Sequence, residues 1–153
     1  MGIFSIKKKP VFFTEAEKLK IVQAIKLAEQ QTSGEIRIYV ESRNAYVDAV
    51  DRAKEVFAHF DMHKTADRNA VLLYLAVKDK NVALFGDEGI YNRTGAAYWN
   101  NAVANMLQQF KQDELVEGIV NCIHQVGQTL KSTFPYNKQT DINELPDDII
   151  FGE

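Results

Sequence analysis

The residues best placed for chemistry are four carboxylates, each beside a turn-forming residue or at the start of an extended run. They are Glu35 after Gly34, Asp67 in the run Asp67-Arg68-Asn69, and Asp87 with Glu88 between Gly86 and Gly89. Like charges held close repel, more strongly as water is excluded, so such a cluster wants spreading into solvent, basic neighbours or a cation. With oxygen donors alone, the matching ion is hard, calcium first and magnesium second. Arg68 stands among the four and could supply part of the neutralisation. The competing reading is a solvated acidic edge whose glycines only allow the chain to turn.

Other candidates are weaker. His59 and His63 are four apart on an expected helix, a spacing that can chelate zinc or copper, yet no further ligand is specified and a solvent-facing pair is the plainer reading. His124 has no placed partner. Cys122, the single cysteine, lies beside Ile123 in a mainly apolar helix, where packing explains it better than reactivity. One cysteine permits neither an internal disulfide nor a thiolate cluster. No P-loop, dinucleotide-binding glycine pattern, HExxH or GxSxG is present, and no histidine, serine or cysteine nucleophile is expected at the acidic edge.

What brings the carboxylates together is the order of elements. Thr14-Glu15-Ala16-Glu17 is a capping box that opens a helix reaching about Gln31. Glu35 to Glu41 alternates polar with β-branched residues, the period of a strand with one wetter face. Apolar residues recur every three or four positions between Tyr46 and His63, giving a second helix. Ala70 to Val77 is apolar on both faces, an interior strand. Lys78 to Asn81 turns the chain, and Val82 to Gly86 returns as an antiparallel third strand. Helices follow over Ala97 to Phe110 and from a cap at Asp113 until Pro135. A β-α-β crossover makes the first two strands parallel, so the starts of strands one and two and the end of strand three share one edge. The expected architecture is an α/β three-layer α/β/α sandwich, a short mixed sheet flanked by about four helices. The domain runs over 12–135, and 136–153 is an acidic extension whose end, Ile149-Ile150-Phe151, could dock.

The 153 residues are 46% hydrophobic and 25% charged, with net charge −3 and pI near 5.7. One domain with an ordinary core is expected, and a nucleic-acid partner held by counterion release is disfavoured. The start places its apolar residues before Lys7-Lys8-Lys9, the reverse of a secretory signal, and no membrane span is found. A cytoplasmic monomer is the expectation.

At Ser33-Gly34-Glu35-Ile36-Arg37-Ile38, Asn69-Ala70-Val71-Leu72-Leu73-Tyr74 and Val82-Ala83-Leu84-Phe85-Gly86-Asp87-Glu88-Gly89-Ile90 the chain resembles the TPM domain family. That family includes thylakoid-lumen proteins linked to photosystem II repair and many bacterial proteins of unknown role. The likeness runs from about Phe12 to Pro135, and the ending Leu145-Pro146-Asp147-Asp148-Ile149-Ile150-Phe151-Gly152 resembles that of a soluble bacterial subgroup. The resemblance implies helices on both faces of a short mixed sheet, divalent-cation binding near the loops of Asp67 and Asp87-Glu88, and, from one plant member, acid phosphatase activity. Many relatives carry Gly where Ala70 stands and read Gly-x-Gly-Leu-Glu after the third strand, whereas this chain reads Gly86-Asp87-Glu88-Gly89-Ile90.

The leading functional expectation is therefore a domain that binds a divalent cation through Glu35, Asp67, Asp87 and Glu88 and acts structurally or through a protein partner, without efficient catalysis. The first alternative is a weak metal-assisted acid phosphatase, in which Arg68 and Arg93 would be the nearest groups for a phosphate. The second is a metal-free interaction module using the Tyr91 to Trp99 segment or the acidic tail.

Overall fold

A computed structural model describes residues 12–44, 48–136 and 149–152. Its sheet is built from β1 (Glu35–Glu41), β2 (Ala70–Ala76), β3 (Asn81–Gly86) and β4 (Ile149–Phe151), in the order β3-β2-β1-β4. The first two run parallel with Glu35 opposite Ala70, and β3 returns antiparallel with Gly86 opposite Val71. The mixed sheet and its β-α-β unit plus hairpin are those the periodicities imply.

Side-chain alternation splits the core into two layers. Ile36, Ile38, Val40, Val71, Leu73 and Leu75 face the helices α1 (Glu15–Glu29), α4 (Ala96–Lys111) and α5 (Leu115–Thr133). Ala70, Leu72, Tyr74, Ala76 and Ala83 face α2 (Ala49–His59) with Met62. The capping box on α1 is complete: the Glu17 amide donates to Thr14 Oγ1 at 3.1 Å and the Thr14 amide donates to the Glu17 carboxylate at 2.8 Å. A short helix, α3 (Glu88–Thr94), leads through Gly95 into α4, and Gly95 takes φ +80°, where a side chain would be strained.

The end Ile149-Ile150-Phe151, expected to dock, does so as a fourth strand, with Ile149 pairing parallel to Ile38 on β1. The structure departs from the sequence expectation in three places. There are five helices among the described residues, α3 being the one not foreseen. The last helix is capped at Glu114, and Asp113 instead turns the chain with φ +59°. Finally, β1 has no wetter face, since all seven of its residues are buried. The acidic stretch with Asp141, Glu144, Asp147 and Asp148 lies outside the described residues, as does Tyr46 at the expected start of the second helix.

Among the buried polar side chains of β1, Glu41 is hydrogen-bonded from the second layer, whereas Arg37 Nε is buried without a hydrogen-bond partner. Glu41 accepts from Arg52 Nε at 2.8 Å and Nη2 at 3.0 Å, and the Tyr74 hydroxyl donates to the same carboxylate. Burial, then the Glu41 hydrogen bond, holds the Tyr74 phenol well above the ordinary tyrosine range. Arg37 lies with its guanidinium 5.0 Å from the Phe60 ring, and burial lowers its pKa. Because Arg52 rises from α2, this ion pair fixes that helix to the end of β1. Breaking a buried pair from one side strands the other charge, so Arg52→Met is expected to destabilise the protein by about 3 kcal/mol in denaturant unfolding. Adding Glu41→Gln to that variant should recover part of the loss, and strict additivity would contradict this account.

Candidate functional site

The strand pairing brings three chain segments to one edge of the sheet, and backbone bonds stitch them together. The Glu35 amide donates to Asn69 O at 3.4 Å, the Asp87 amide to Ala70 O at 2.9 Å, and the Gly89 amide to Arg68 O at 2.8 Å. A Cβ on Gly89 would collide with the main-chain oxygens of Asp67 and Arg68. Glycine is therefore required there by close approach of two backbones.

Arg68 sits at the centre. Its backbone takes φ +52°, a left-handed conformation unusual for a residue with a side chain. Its guanidinium grips Asp87 with two bonds, Nε to Oδ2 at 2.7 Å and Nη2 to Oδ1 at 2.9 Å, and reaches Glu88 Oε1 through Nη1 at 3.1 Å. The fork matches the carboxylate in shape as well as charge. Asp87 also caps α3, accepting from the Glu88 amide at 2.8 Å. The Asp87 side chain is 6% exposed against 41% for Arg68 and 64% for Glu88, so the clamp closes over a buried acid and opens to water. Donation of these hydrogen bonds to Asp87 raises the Arg68 pKa.

The other two predicted residues reach the edge differently. Asp67 Oδ2 accepts a long bond from Ser33 Oγ at 3.5 Å, and Ser33 Oγ accepts from Asn69 Nδ2 at 3.2 Å. Glu35 joins through its backbone and is 3% exposed, on the side of β1 that carries Tyr39 toward α2. Among the described residues, no three acidic, histidine or cysteine side chains stand close enough to hold one ion. Two of the four expected carboxylates converge on a guanidinium instead.

Two residues here were missed from the sequence. Ser33 places a hydroxyl at the edge, contrary to the expectation of none. Asn69 is 1% exposed, and its Oδ1 is buried without a hydrogen-bond partner. The only signal for either was a position within two residues of Glu35 or Arg68 in the chain. A buried, unsatisfied amide oxygen is unusual and suits an oxygen-seeking ligand. Asp67, Ser33 and Asn69 form one hydrogen-bonded chain, while Asp87 and Glu88 close on Arg68.

The remaining candidates fall elsewhere. Arg93 donates to Thr133 O at 2.9 Å and stands over the Phe134 ring, so it is engaged at the end of α5. His59 ends α2 and His63 lies beyond it, both exposed, so the two do not share a helical face. Cys122 is buried, and burial pushes its thiol up to about 12. Beside the clamp, a groove of about 560 Å³ runs between Lys54, Glu88, Tyr91, Trp99 and Asn100.

The family model for the TPM domain matches residues 7–129. The chain belongs to the TPM domain family. This TPM domain is also similar to the BA42 protein of the psychrophilic bacterium Bizionia argentinensis, known from an NMR structure. The two are 39% identical, with 96% of this chain and all of that chain covered and a TM-score of 0.85. The N-terminal domain of the cg2496 protein from Corynebacterium glutamicum shares the fold, at 13% identity, TM-score 0.56, and coverage of 91% and 80% of the two chains. No curated protein matches. Among the described residues, no helix is long and apolar enough to cross a membrane. The stitched edge makes a direct test available. Gly89→Ala should destabilise the domain by about 2 kcal/mol, as overpacking against rigid backbone does, and an unchanged thermal midpoint would contradict the observed approach of α3 to loop 67–69.

Proposed function

We propose that this TPM domain binds a divalent cation, calcium ahead of magnesium, at the edge formed by Ser33, Asp67, Asn69, Asp87 and Glu88. Its role is read as structural or partner-directed, without efficient catalysis. The observation that supports this most is Asn69 Oδ1, a buried oxygen with no hydrogen-bond partner on a side chain linked through Ser33 to the Asp67 carboxylate. An ion there would draw its remaining ligands from water and main-chain oxygens, as calcium sites of six to eight donors do. Bound, it would supply positive charge now provided by Arg68. Glu35, expected among the ligands, contributes to the reading only as a neighbour whose amide donates a hydrogen bond to Asn69 O. A cytoplasmic setting is part of the same reading, in keeping with a single, buried cysteine.

The phosphatase alternative rests on the family alone. Both guanidiniums it would need are held by other groups, Arg68 by Asp87 and Glu88 and Arg93 by Thr133. Ser33 lacks an adjacent base beyond Asp67 at 3.5 Å. Turnover of an aryl phosphate is expected to stay at background with calcium or magnesium.

A specific observation favours the interaction reading as a second possibility. The groove along Tyr91 and Trp99 carries two of the exposed large apolar side chains, Val50 at 42% and Tyr91 at 41% exposure. The two readings separate in one titration with calcium chloride, followed by amide chemical shifts and thermal unfolding. Cation binding predicts localised shifts at residues 33–35, 67–69 and 87–89. It also predicts stabilisation of about 2.7 kcal/mol at a hundred times Kd. Shifts absent from those loops, with an unchanged melting point between excess calcium and chelator, would remove the cation reading.

A further inference from the structure

β3 is the outer strand of the sheet, with β2 on one side and, among the described residues, no strand on the other. The Asp87 amide donates to Ala70 O, and the antiparallel register continues that exchange at Phe85 with Leu72 and at Ala83 with Tyr74. The residues between, Val82, Leu84 and Gly86, therefore turn their N–H and C=O groups away from β2. Among the described residues nothing hydrogen-bonds to those groups. Proteins blunt such an edge with charge or cover, or use it to take up a partner strand. This edge is recessed, with Val82 6% and Leu84 7% exposed. Leu84, Phe85 and Gly86 form the base of the 560 Å³ groove between Lys54 of α2 and Trp99 of α4. A second stretch of about 360 Å³ lies beside Val82, between Ala49 of α2 and Leu107 of α4.

We infer that the β3 edge takes up an extended segment of a partner protein, alternating apolar and acidic residues, which adds to the sheet as a further strand. This rests on the interaction reading of the groove, names its occupant, and is independent of the cation reading. Outward donors and acceptors at every second residue match an extended chain. Side chains opposite Leu84 and Gly86 would point toward α4, where Trp99 lies so close that a Cβ on Gly86 would collide with its ring. Those opposite Ala83 and Phe85 would point toward α2 and Lys54. Lys54 and Lys80 line the two stretches, both exposed, and among the described residues neither is in an ion pair. The acids of the lining are engaged, Glu88 by Arg68 and Asp48 as the cap of α2. The charge left unmet is therefore positive. The ends of the described chain lie away from this edge: Phe12 stacks on Phe151 of β4, the strand on the other side of the sheet, and Pro135 pairs with Thr32 ahead of β1. A second copy fits poorly, since its own β3 is sunk equally deep between helices and two recessed edges do not meet.

The probe is a capped peptide of about eight residues that alternates valine with glutamate, titrated into the full chain at low salt and followed by amide shifts and hydrogen exchange. Two further forms are N-methylated, one at the valines and one at the glutamates, so that each has one edge of the strand blocked. The expected result is shifts and slowed exchange at the amides of Val82, Leu84 and Gly86, with binding lost in at least one methylated form. Lys54→Glu combined with Lys80→Glu alters exposed side chains only and should weaken binding roughly tenfold. Replacing glutamate by lysine in the peptide should reverse that preference. Equal binding by all three peptide forms, with shifts at Tyr91 and Trp99, overturns strand addition and leaves the interaction reading standing. Equal affinity in the charge-reversed variant overturns the acidic occupant. A dimer in sedimentation whose three amides are protected without peptide overturns the proposal in favour of a second copy. No shift along the groove up to about 1 mM peptide overturns both the proposal and the interaction reading.

Discussion

A parallel pair beside an antiparallel pair sends the start of β1, the start of β2 and the end of β3 to the same edge, and this chain spells that edge largely in acids. The resulting repulsion has to be met by water, by a base or by an ion. Arg68 meets it from within, by forking onto Asp87 while touching Glu88. Asp87 then has three tasks at one point: it anchors the guanidinium, caps α3 through the Glu88 amide, and ties its own amide to the start of β2. The geometry of the edge depends on that carboxylate more than on any other side chain.

A second arginine does a similar thing at the opposite end of the sheet. Arg52 and Tyr74 satisfy Glu41 in a setting nearly closed to water, where the Arg52 side chain is 17% exposed and the Glu41 side chain 6%. Releasing that arginine would leave a charge stranded in a low-dielectric layer. The Arg68 guanidinium is more exposed, at 41%, yet it covers an Asp87 side chain that is as buried as Glu41, at 6%. One clamp holds α2 in place, and the other joins the loop before β2 to the start of α3. The difference lies in burial of the arginine, since the donor and acceptor types are the same.

Much of this was legible from residue order. The periods of Glu35 to Glu41 and Ala70 to Ala76, with the helical stripe between them, dictate the parallel pair and hence the meeting of Glu35, Asp67 and Asp87 loops. Resemblance at Ser33 to Ile38 and Asn69 to Tyr74 pointed to the family that the comparison then established. Three things were not legible. Alternation of Glu35, Arg37 and Glu41 read as a wet face, because a single strand does not reveal that Arg52 and Phe60 arrive from elsewhere to cover it. The apolar run 149–151 pointed to a docked end, but its pairing with Ile38 joins residues more than a hundred positions apart and was not legible. Charge counting placed Arg68 near the acids but could not show that its fork would align with Asp87, since that depends on a left-handed backbone at one residue.

The clamp itself can be observed most directly through the Nε–Hε group of Arg68 in the ion-free protein by nitrogen-edited NMR. The account predicts an Hε signal protected from exchange with water and made labile by Asp87→Asn, while Arg43, with a side chain 71% exposed, exchanges fast in both proteins. An Arg68 Hε that exchanges as fast as that of Arg43 in the wild type would contradict it.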